Sequence, residues 1–519
     1  MPGGGLLALV SYGAQNVILN GNPEFTYFYK VFKRYSHFSM ENATIPLEGP
    51  NELFYDQPIK LRAKIPRIAD LVTDMTFVFD IPNIYSKYSA CNPQRLAQYE
   101  FQWNNFLGAH ILQNVAFFVG GSKIQEFDSD YVIAKAHADL DTDTFQKWRY
   151  LVGETPELTD PARGVYAGGE IGKGYPSVLR DSSVIQQTNR PSIYGQSIYV
   201  PLPLWFSESA SKALPLVALQ YHECEIQITL RSIQELYSIL DPSGYRVRPG
   251  YRVVAPTSQI SIGQPTYNAI YDPSGEFRAF LTDVNETPPA TNSWFFNPHL
   301  EANYVYLTDA ERKIFASQPL NYLVFQVTQF YFNSLYTRTL YDLEVSNPIT
   351  RLLLVPRRSD SLFYKNQVGN YTNWVNPLRS PWLPTTGATI PQIIQFVTGP
   401  IIPATQQQII QSLRVLLDGN EIQEEKPLSY YTRVQPYRML TGASLPESQF
   451  LPCINFSLTS PHDQPSGSVN ASRIRLFQLD VNPHALPLNS TYVYELRVYA
   501  ENINFFTVES GYGGLKYAL

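Results

Sequence analysis

ECEIQITLR, Glu223 to Arg231, is the stretch on which the fold turns. Cys224, Ile226, Ile228 and Leu230 fall on one side of an extended chain; Glu223, Glu225, Gln227, Thr229 and Arg231 fall on the other. Strict alternation of this kind describes a strand with one buried face. Lys60 to Ile65 repeats it, with Leu61, Ala63 and Ile65 inward and Lys60, Arg62 and Lys64 outward. Met75, Phe77, Phe79 and Ile81 line another apolar face, closed by Pro82. Tyr494, Leu496, Val498 and Ala500 alternate with Glu495, Arg497 and Tyr499.

The rest of the composition agrees with an all-β chain. Its 40 Pro and 29 Gly are scattered through 519 residues, which favours many short strands joined by turns over long helices. One helix is expected. Thr308 and Glu311 form a capping box, Ala310, Ile314 and Phe315 supply an apolar stripe, and Pro319 ends it. The length calls for two or more domains, and this helix, with strand patterns on both sides, is the natural junction. A short repeat crosses it. Gly121-Ser122-Lys123-Ile124-Gln125-Glu126 is similar to Gly419-Asn420-Glu421-Ile422-Gln423-Glu424, and each follows an apolar strand, Val115 to Val119 and Leu413 to Leu417.

Charge and cysteine usage narrow the function. The net charge of −6 argues against a protein that wraps nucleic acid. Charged residues are only 16%, below the roughly 25% usual in soluble domains, while Tyr and Phe number 36 and 29, which suits large buried contacts between subunits. Cys91, Cys224 and Cys453 are widely spaced and point to a reducing compartment. The Gly-rich start reads as a poor signal peptide, and Pro2 stands where myristoylation needs glycine. No stretch approaches the roughly 18 apolar residues of a membrane span.

Motifs of catalysis fail on inspection. His222-Glu223 opens like a zinc-protease helix, but the second His would fall at Ile226, within a strand. Asp139, Asp141 and Asp143 begin like a calcium loop, but Thr144 and Tyr150 stand where Gly and Glu are required, leaving a solvated acidic turn. Gly172-Lys173-Gly174 lacks the spacing of a phosphate loop. No catalytic, cofactor-binding or metal-binding residue is assigned, and no cofactor is expected. Of six Asn-x-Ser/Thr sequons, Asn285 and Asn370 lie in long loops and are the candidate glycan acceptors. Arg357 and Arg358 read as a solvated strand end, with lipid headgroups or a neighbouring subunit as the alternative. The stretches Glu154 to Gln196, Ser232 to Ser293 and Asp360 to Gln408 read as long loops, the last projecting outward.

Four collinear blocks carry a resemblance. The first is GGGLLALVSYGAQNVILNGNPEFTYFYKVFKRYSHFSME, Gly3 to Glu41, followed by VPLPLWFSESASKALPLVALQYHECEIQI, Val200 to Ile228. Then come HLEANYVYLTDAERKIFA, His299 to Ala316, and INFSLTSPHDQPSGSVNASRIRLFQLD, Ile454 to Asp480, with the tail ESGYGGLKYAL. In this order they resemble the major capsid proteins of nucleocytoplasmic large DNA viruses. The resemblance implies a double jelly roll: two consecutive eight-stranded jelly-roll sandwiches with long inserted loops and a short connecting helix. The expected parts are an inner-face arm (1–24), a first jelly roll (25–309), the helix (310–319), a second jelly roll (320–509) and a tail (510–519).

It further implies a structural protein, not an enzyme. Three copies would form a pseudo-hexagonal capsomer of an icosahedral shell, assembled in the host cytoplasm. Neighbouring capsomers, minor capsid proteins and an internal viral membrane are the implied partners; direct genome binding is not expected. Two other readings fit a β-sandwich: a carbohydrate-binding or carbohydrate-cleaving protein, which would need two opposed carboxylates, and a minor capsid or spike protein.

Overall fold

The computed structural model describes residues 4–10, 13–30, 32–87, 98–161, 175–176, 191–242, 246–247, 249–253, 269–283, 286–359, 361, 368–373, 407–442, 451–459, 464–486 and 492–517. Cys91, Gly172-Lys173-Gly174, Asn285, Asn489 and most of Asp360 to Gln408 lie outside them. The chain divides into two units, Met1–Ser39 and Met40–Leu519. The first carries short helical segments at Gly4–Val10 and Val17–Asn20. The sheets belong to the second.

Alternation builds eight strands in the first half of that unit. They are β1 (Phe38–Pro46), β2 (Ile59–Lys64), β3 (Leu71–Ile81), β4 (Leu112–Val119), β5 (Ser122–Phe127), β6 (Gln196–Pro201), β7 (Cys224–Leu230) and β8 (His299–Leu307). They form two sheets, ordered β1-β8-β3-β6 and β2-β7-β4-β5. In β7 the residues expected inward, Cys224, Ile226, Ile228 and Leu230, are the buried ones. β2 alternates the same way, and its outward Arg62 and Lys64 stand beside Gln227 and Glu225 of β7.

The second half repeats the plan. Its strands are β9 (Leu320–Leu335), β10 (Thr339–Asp342), β11 (Pro348–Arg358), β12 (Ile410–Leu417), β13 (Asn420–Pro427), β14 (Cys453–Asn455), β15 (Phe477–Pro483) and β16 (Tyr494–Glu509). The sheets run β9-β16-β11-β14 and β10-β15-β12-β13, so each strand takes the place of the one eight earlier in the chain. Two sheets of this order, facing each other, are a jelly roll, and the molecule holds two. The repeated motif falls on equivalent hairpins: β4 turns into β5 through Gly120-Gly121, and β12 into β13 through Asp418-Gly419. All four residues have positive φ (56°, 81°, 51° and 80°), the two-residue turn whose twist matches its strands.

Helices α1 (Ser129–Asp139) and α2 (Thr142–Leu151) follow β5, and α3 (Asp309–Ser317) follows β8. α3 joins the halves. Thr308 is its N-cap residue, but its side chain makes no capping bond. The helix is held instead by Arg312, whose Nε and Nη2 donate to Asp70 at 2.8 and 3.1 Å, and Ile314 of the expected stripe is exposed. The segment Ser232 to Ser293, read as a loop, also differs from expectation. Tyr237 stacks on Phe101 at 4.7 Å, and Phe277, Phe280 and Trp294 join them in an aromatic cluster continuous with the first core. Aromatic packing has no short period to betray it in sequence.

The second core lies between its two sheets, with Leu352, Leu354, Leu413, Val415, Leu479 and Val498. The first core reaches past its own sandwich to take in Leu353, Val355, Tyr499 and Phe506. The run Leu352 to Val355 is therefore apolar throughout because both faces of β11 are covered, alternate residues serving different cores.

The two hairpin turns give a contrast to measure. A Cβ on Gly419 would meet nothing within 4 Å, so Gly419→Ala carries only the left-handed backbone penalty of roughly 1–2 kcal/mol. A Cβ on Gly120 would lie 2.5 Å from the His222 ring, so Gly120→Ala should cost more. Denaturant midpoints of the two variants should fall in that order; equal losses would refute the steric argument.

Candidate functional site: a charged seam between the sandwiches

Asp128 follows β5 and caps α1, its side chain accepting from the Tyr131 backbone N–H at 2.9 Å. The cap fixes α1 against the outward face of the β9-β16-β11-β14 sheet. Asp128, Asp130 and Asp139 meet Arg351, Arg357, Arg497 and Glu501 of the other half there. Arg351, on β11, has no exposed surface. Its Nε and Nη2 donate to Glu501 of β16 at 2.6 and 2.9 Å, and its Nη2 and Nη1 reach both oxygens of Asp139 on α1, the former at 2.8 Å. Glu501 also accepts from the Tyr131 hydroxyl at 2.7 Å. Asp139 is joined by Lys135 at 3.2 Å.

At the other end of α1, Asp128 accepts from the hydroxyls of Tyr331 and Tyr499 (3.0 and 2.9 Å) and from Arg497 (3.2 Å). Asp130 pairs with Arg497 and with Arg357, the latter at 3.2 Å. Farther along, Gln326 of β9 donates to the Ile124 carbonyl of β5 at 2.6 Å, and Trp205 lies against the rings of Tyr322 and Phe506.

Burial works against the charges of Asp130, Asp139 and Glu501, and their partners overcome it. Arg351 and Lys135 hold Asp139 and Glu501 below the usual carboxylate range. Arg497 and Arg357 do the same for Asp130. Asp128 goes the other way, raised by burial and by the neighbouring charge of Asp130. His137, on the buried side of α1, has no hydrogen-bond partner on either ring nitrogen. It sits among Phe106, Phe145 and Tyr371, and burial, aided by Arg149, pushes it down to about 3.

The residues singled out in the sequence are placed differently from one another. Asp139 belongs to the seam, not to a solvated turn. Asp141 caps α2 by accepting from the Thr144 N–H at 3.0 Å, and Asp143 is exposed. Arg357 is paired with Glu495 (2.9 Å) as well as Asp130, and Arg358 is buried with its guanidinium 3.5 Å from the Tyr492 ring centre. Neither is a solvated strand end or free for a lipid headgroup. His222 Nδ1 lies 2.9 Å from the Gly513 carbonyl oxygen. Glu223 and Glu225 are held by Lys64 and Arg62 and kept below their ordinary range, the state opposite to a glycosidase proton donor.

Asn370 is only 4% exposed, and its Oδ1 accepts from the N–H and hydroxyl of Thr372 at 3.0 and 2.6 Å. The sequon is folded onto itself and does not present its side chain for a glycan. Cys224 and Cys453 are buried free thiols, each pushed up to about 12 by burial. Among the described residues no cluster could hold a metal, and no helix is long and apolar enough to cross a membrane.

Two equivalent sandwiches, with their buried charges committed to holding them together, have the design of a shell protein. Comparison with known proteins specifies which kind. Residues 26–261 match the family model for the major capsid protein N-terminus, and residues 311–514 match that for the large eukaryotic DNA virus major capsid protein. The chain is 24% identical to the major capsid protein of Phaeocystis pouchetii virus and 25% identical to that of Paramecium bursaria Chlorella virus 1, over 99% of both chains in each case. Among solved structures it is similar to the Faustovirus major capsid protein (TM-score 0.62, 14% identity, 95% of this chain and 94% of that one). It is also similar to the quasi-atomic model of the Paramecium bursaria Chlorella virus 1 capsid (TM-score 0.61, 20% identity, 95% and 100%). The chain belongs to the major capsid proteins of large eukaryotic DNA viruses. Its role is structural, as a component of the virion shell, and it is not an enzyme.

Two measurements probe the seam. Arg351→Met strands Asp139 and Glu501 in the interior and should cost about 3–5 kcal/mol in unfolding experiments. Adding Asp139→Asn and Glu501→Gln should return much of that loss; no recovery would mean that the guanidinium acts through packing alone. The second is acid sensitivity. The unfolded chain binds a proton at His137 below its ordinary 6.5, whereas the folded chain refuses it until about 3. Stability from this residue is complete above 6.5 and lost as pH falls toward 3, at about 1.4 kcal/mol per pH unit. His137→Phe should flatten that part of the stability–pH curve.

Proposed function

We propose that three copies of this chain form one capsomer and that its six sandwiches give a nearly hexagonal outline. The observation that carries this reading is the identical strand order of the two halves, β1-β8-β3-β6 with β2-β7-β4-β5 and β9-β16-β11-β14 with β10-β15-β12-β13. Two like towers per chain and three chains per ring allow a threefold object to fill a hexagonal lattice position, in keeping with closed symmetric oligomers generally. Such capsomers associate with one another and with minor capsid proteins. Assembly takes place in the host cytoplasm. Residues 1–24 line the inner side, where their Gly-rich, apolar character suits contact with neighbours or an internal viral membrane. The part of Asp360 to Gln408 beyond the buried Asn370 to Asn373 projects outward.

Native mass measurement of the chain released gently from particles should give three copies. A folded monomer as the sole species at all concentrations would overturn the trimer. In intact particles, protease should spare residues 3–22.

A further inference from the structure

The seam leaves a pattern of charge unexplained by the single chain. Within it, the segment after the fifth strand of the first sandwich is acidic where it meets its partner, through Asp128, Asp130 and Asp139. The sheet it covers answers with Arg351, Arg357 and Arg497. Lys135 of the same helix turns to Asp139 and Glu208. That sheet is closed on both faces, with Tyr499 and Glu501 as buried as the core.

The corresponding surfaces on the other halves are open, and their signs are reversed. In the second sandwich β13 is likewise followed by helical turns, Tyr430–Val434 and Gln435–Met439, before β14. Leu428 to Gly442 contains Arg433 and Arg438 and no Asp or Glu. Arg433, Val434, Tyr437 and Arg438 are exposed together on one side, Tyr437 to 89%. The corresponding sheet of the first sandwich, β1-β8-β3-β6, contains no Lys or Arg in any of its four strands. Its outward side carries Asp74, Asp80 and Glu301, none of them buried; Glu41 falls on the same face of β1 as Ile45.

Neutral groups supply the hydrogen bonds that reach these carboxylates from the described residues. Asn303 donates to Asp74, and Ser197 and Asn297 donate to Asp80. Elsewhere the outward sheet faces neutralise themselves, as in Arg62–Glu225, Lys64–Glu223 and the Arg338–Asp480–Arg414 group. Unbalanced charge thus stands on two surfaces, of opposite sign, at positions equivalent to the two sides of the internal seam.

We propose that the face bearing Arg433, Tyr437 and Arg438 on one copy docks on the outward side of the β1-β8-β3-β6 sheet of a second copy. The inference rests on the trimer reading above and names the surfaces that make it. It also assigns the reversed charge a task. A first-sandwich helix on a first-sandwich sheet would set acid on acid, and the second on the second would set base on base; like charges brought together in this way suppress the wrong pairing. Only alternation of first and second sandwiches round the ring matches sign at every contact.

The test is native mass of the full chain across a dilution series, with thermal melting to confirm that each monomer is folded. Arg433→Glu with Arg438→Glu should raise the concentration needed for trimer by about 100-fold while melting is unchanged. Adding Asp80→Lys and Glu301→Lys to that pair should restore trimer, and Lys60→Glu, an exposed cation on a different sheet, should leave it as it was. A doubly reversed helix that trimerises like the parent would sink the surface assignment and leave the trimer standing. So would failure of the fourfold variant to recover while Asp80→Lys/Glu301→Lys alone melts like the parent. A parent chain that stays monomeric at every concentration would instead overturn the trimer reading, and this proposal with it.

Discussion

A guanidinium sealed away from water is the constraint on which the molecule is organised. Arg351 is tolerable in the interior only because Asp139 comes from one sandwich and Glu501 from the other. Ion pairs at this depth rarely add net stability over well-packed hydrocarbon, since desolvation consumes most of the attraction. What they add is exclusivity. A leucine in place of Arg351 would accept many dockings of α1; the fork of a guanidinium accepts one. The apolar contacts at Trp205, Tyr322 and Phe506 supply area, and the charges select the register in which that area is buried.

The strands were legible in sequence because alternation reports directly on which side of a sheet is dry. Cys224 to Leu230 and Ile59 to Lys64 follow it residue by residue. The repeated hairpin was legible too, since a turn with two positive φ values admits few residues and so tends to keep its signature. The seam was not. Glu495, Arg497 and Tyr499 read as a water-facing side, and alternation cannot distinguish water from another layer of protein carrying complementary charge. Asp139 read as one of three acids in a turn because its partner lies 212 residues away. The unbroken apolar run Leu352 to Val355, directly after Arg351, was the one local sign that β11 is covered on both faces.

Equivalence of the halves is one of topology, not of surroundings. The second sandwich gives much of one sheet face to its neighbour in the chain, while the first keeps the matching face polar and partly exposed. Residues at like positions therefore experience different solvents, which explains why the repeat is confined in sequence to a turn that both environments require.

The seam also bears on how a shell made of such chains can bend. Strand residues are spaced about 3.3 Å apart, and a slip of one position would break the paired contacts of Arg351 on both sides at once. Small relative rotations meet the same resistance from Arg497 and Arg357 at the far end of α1. Each chain is in effect a stiff double pillar. The curvature of a closed shell must be taken up in the joints between molecules and not within the pillar itself.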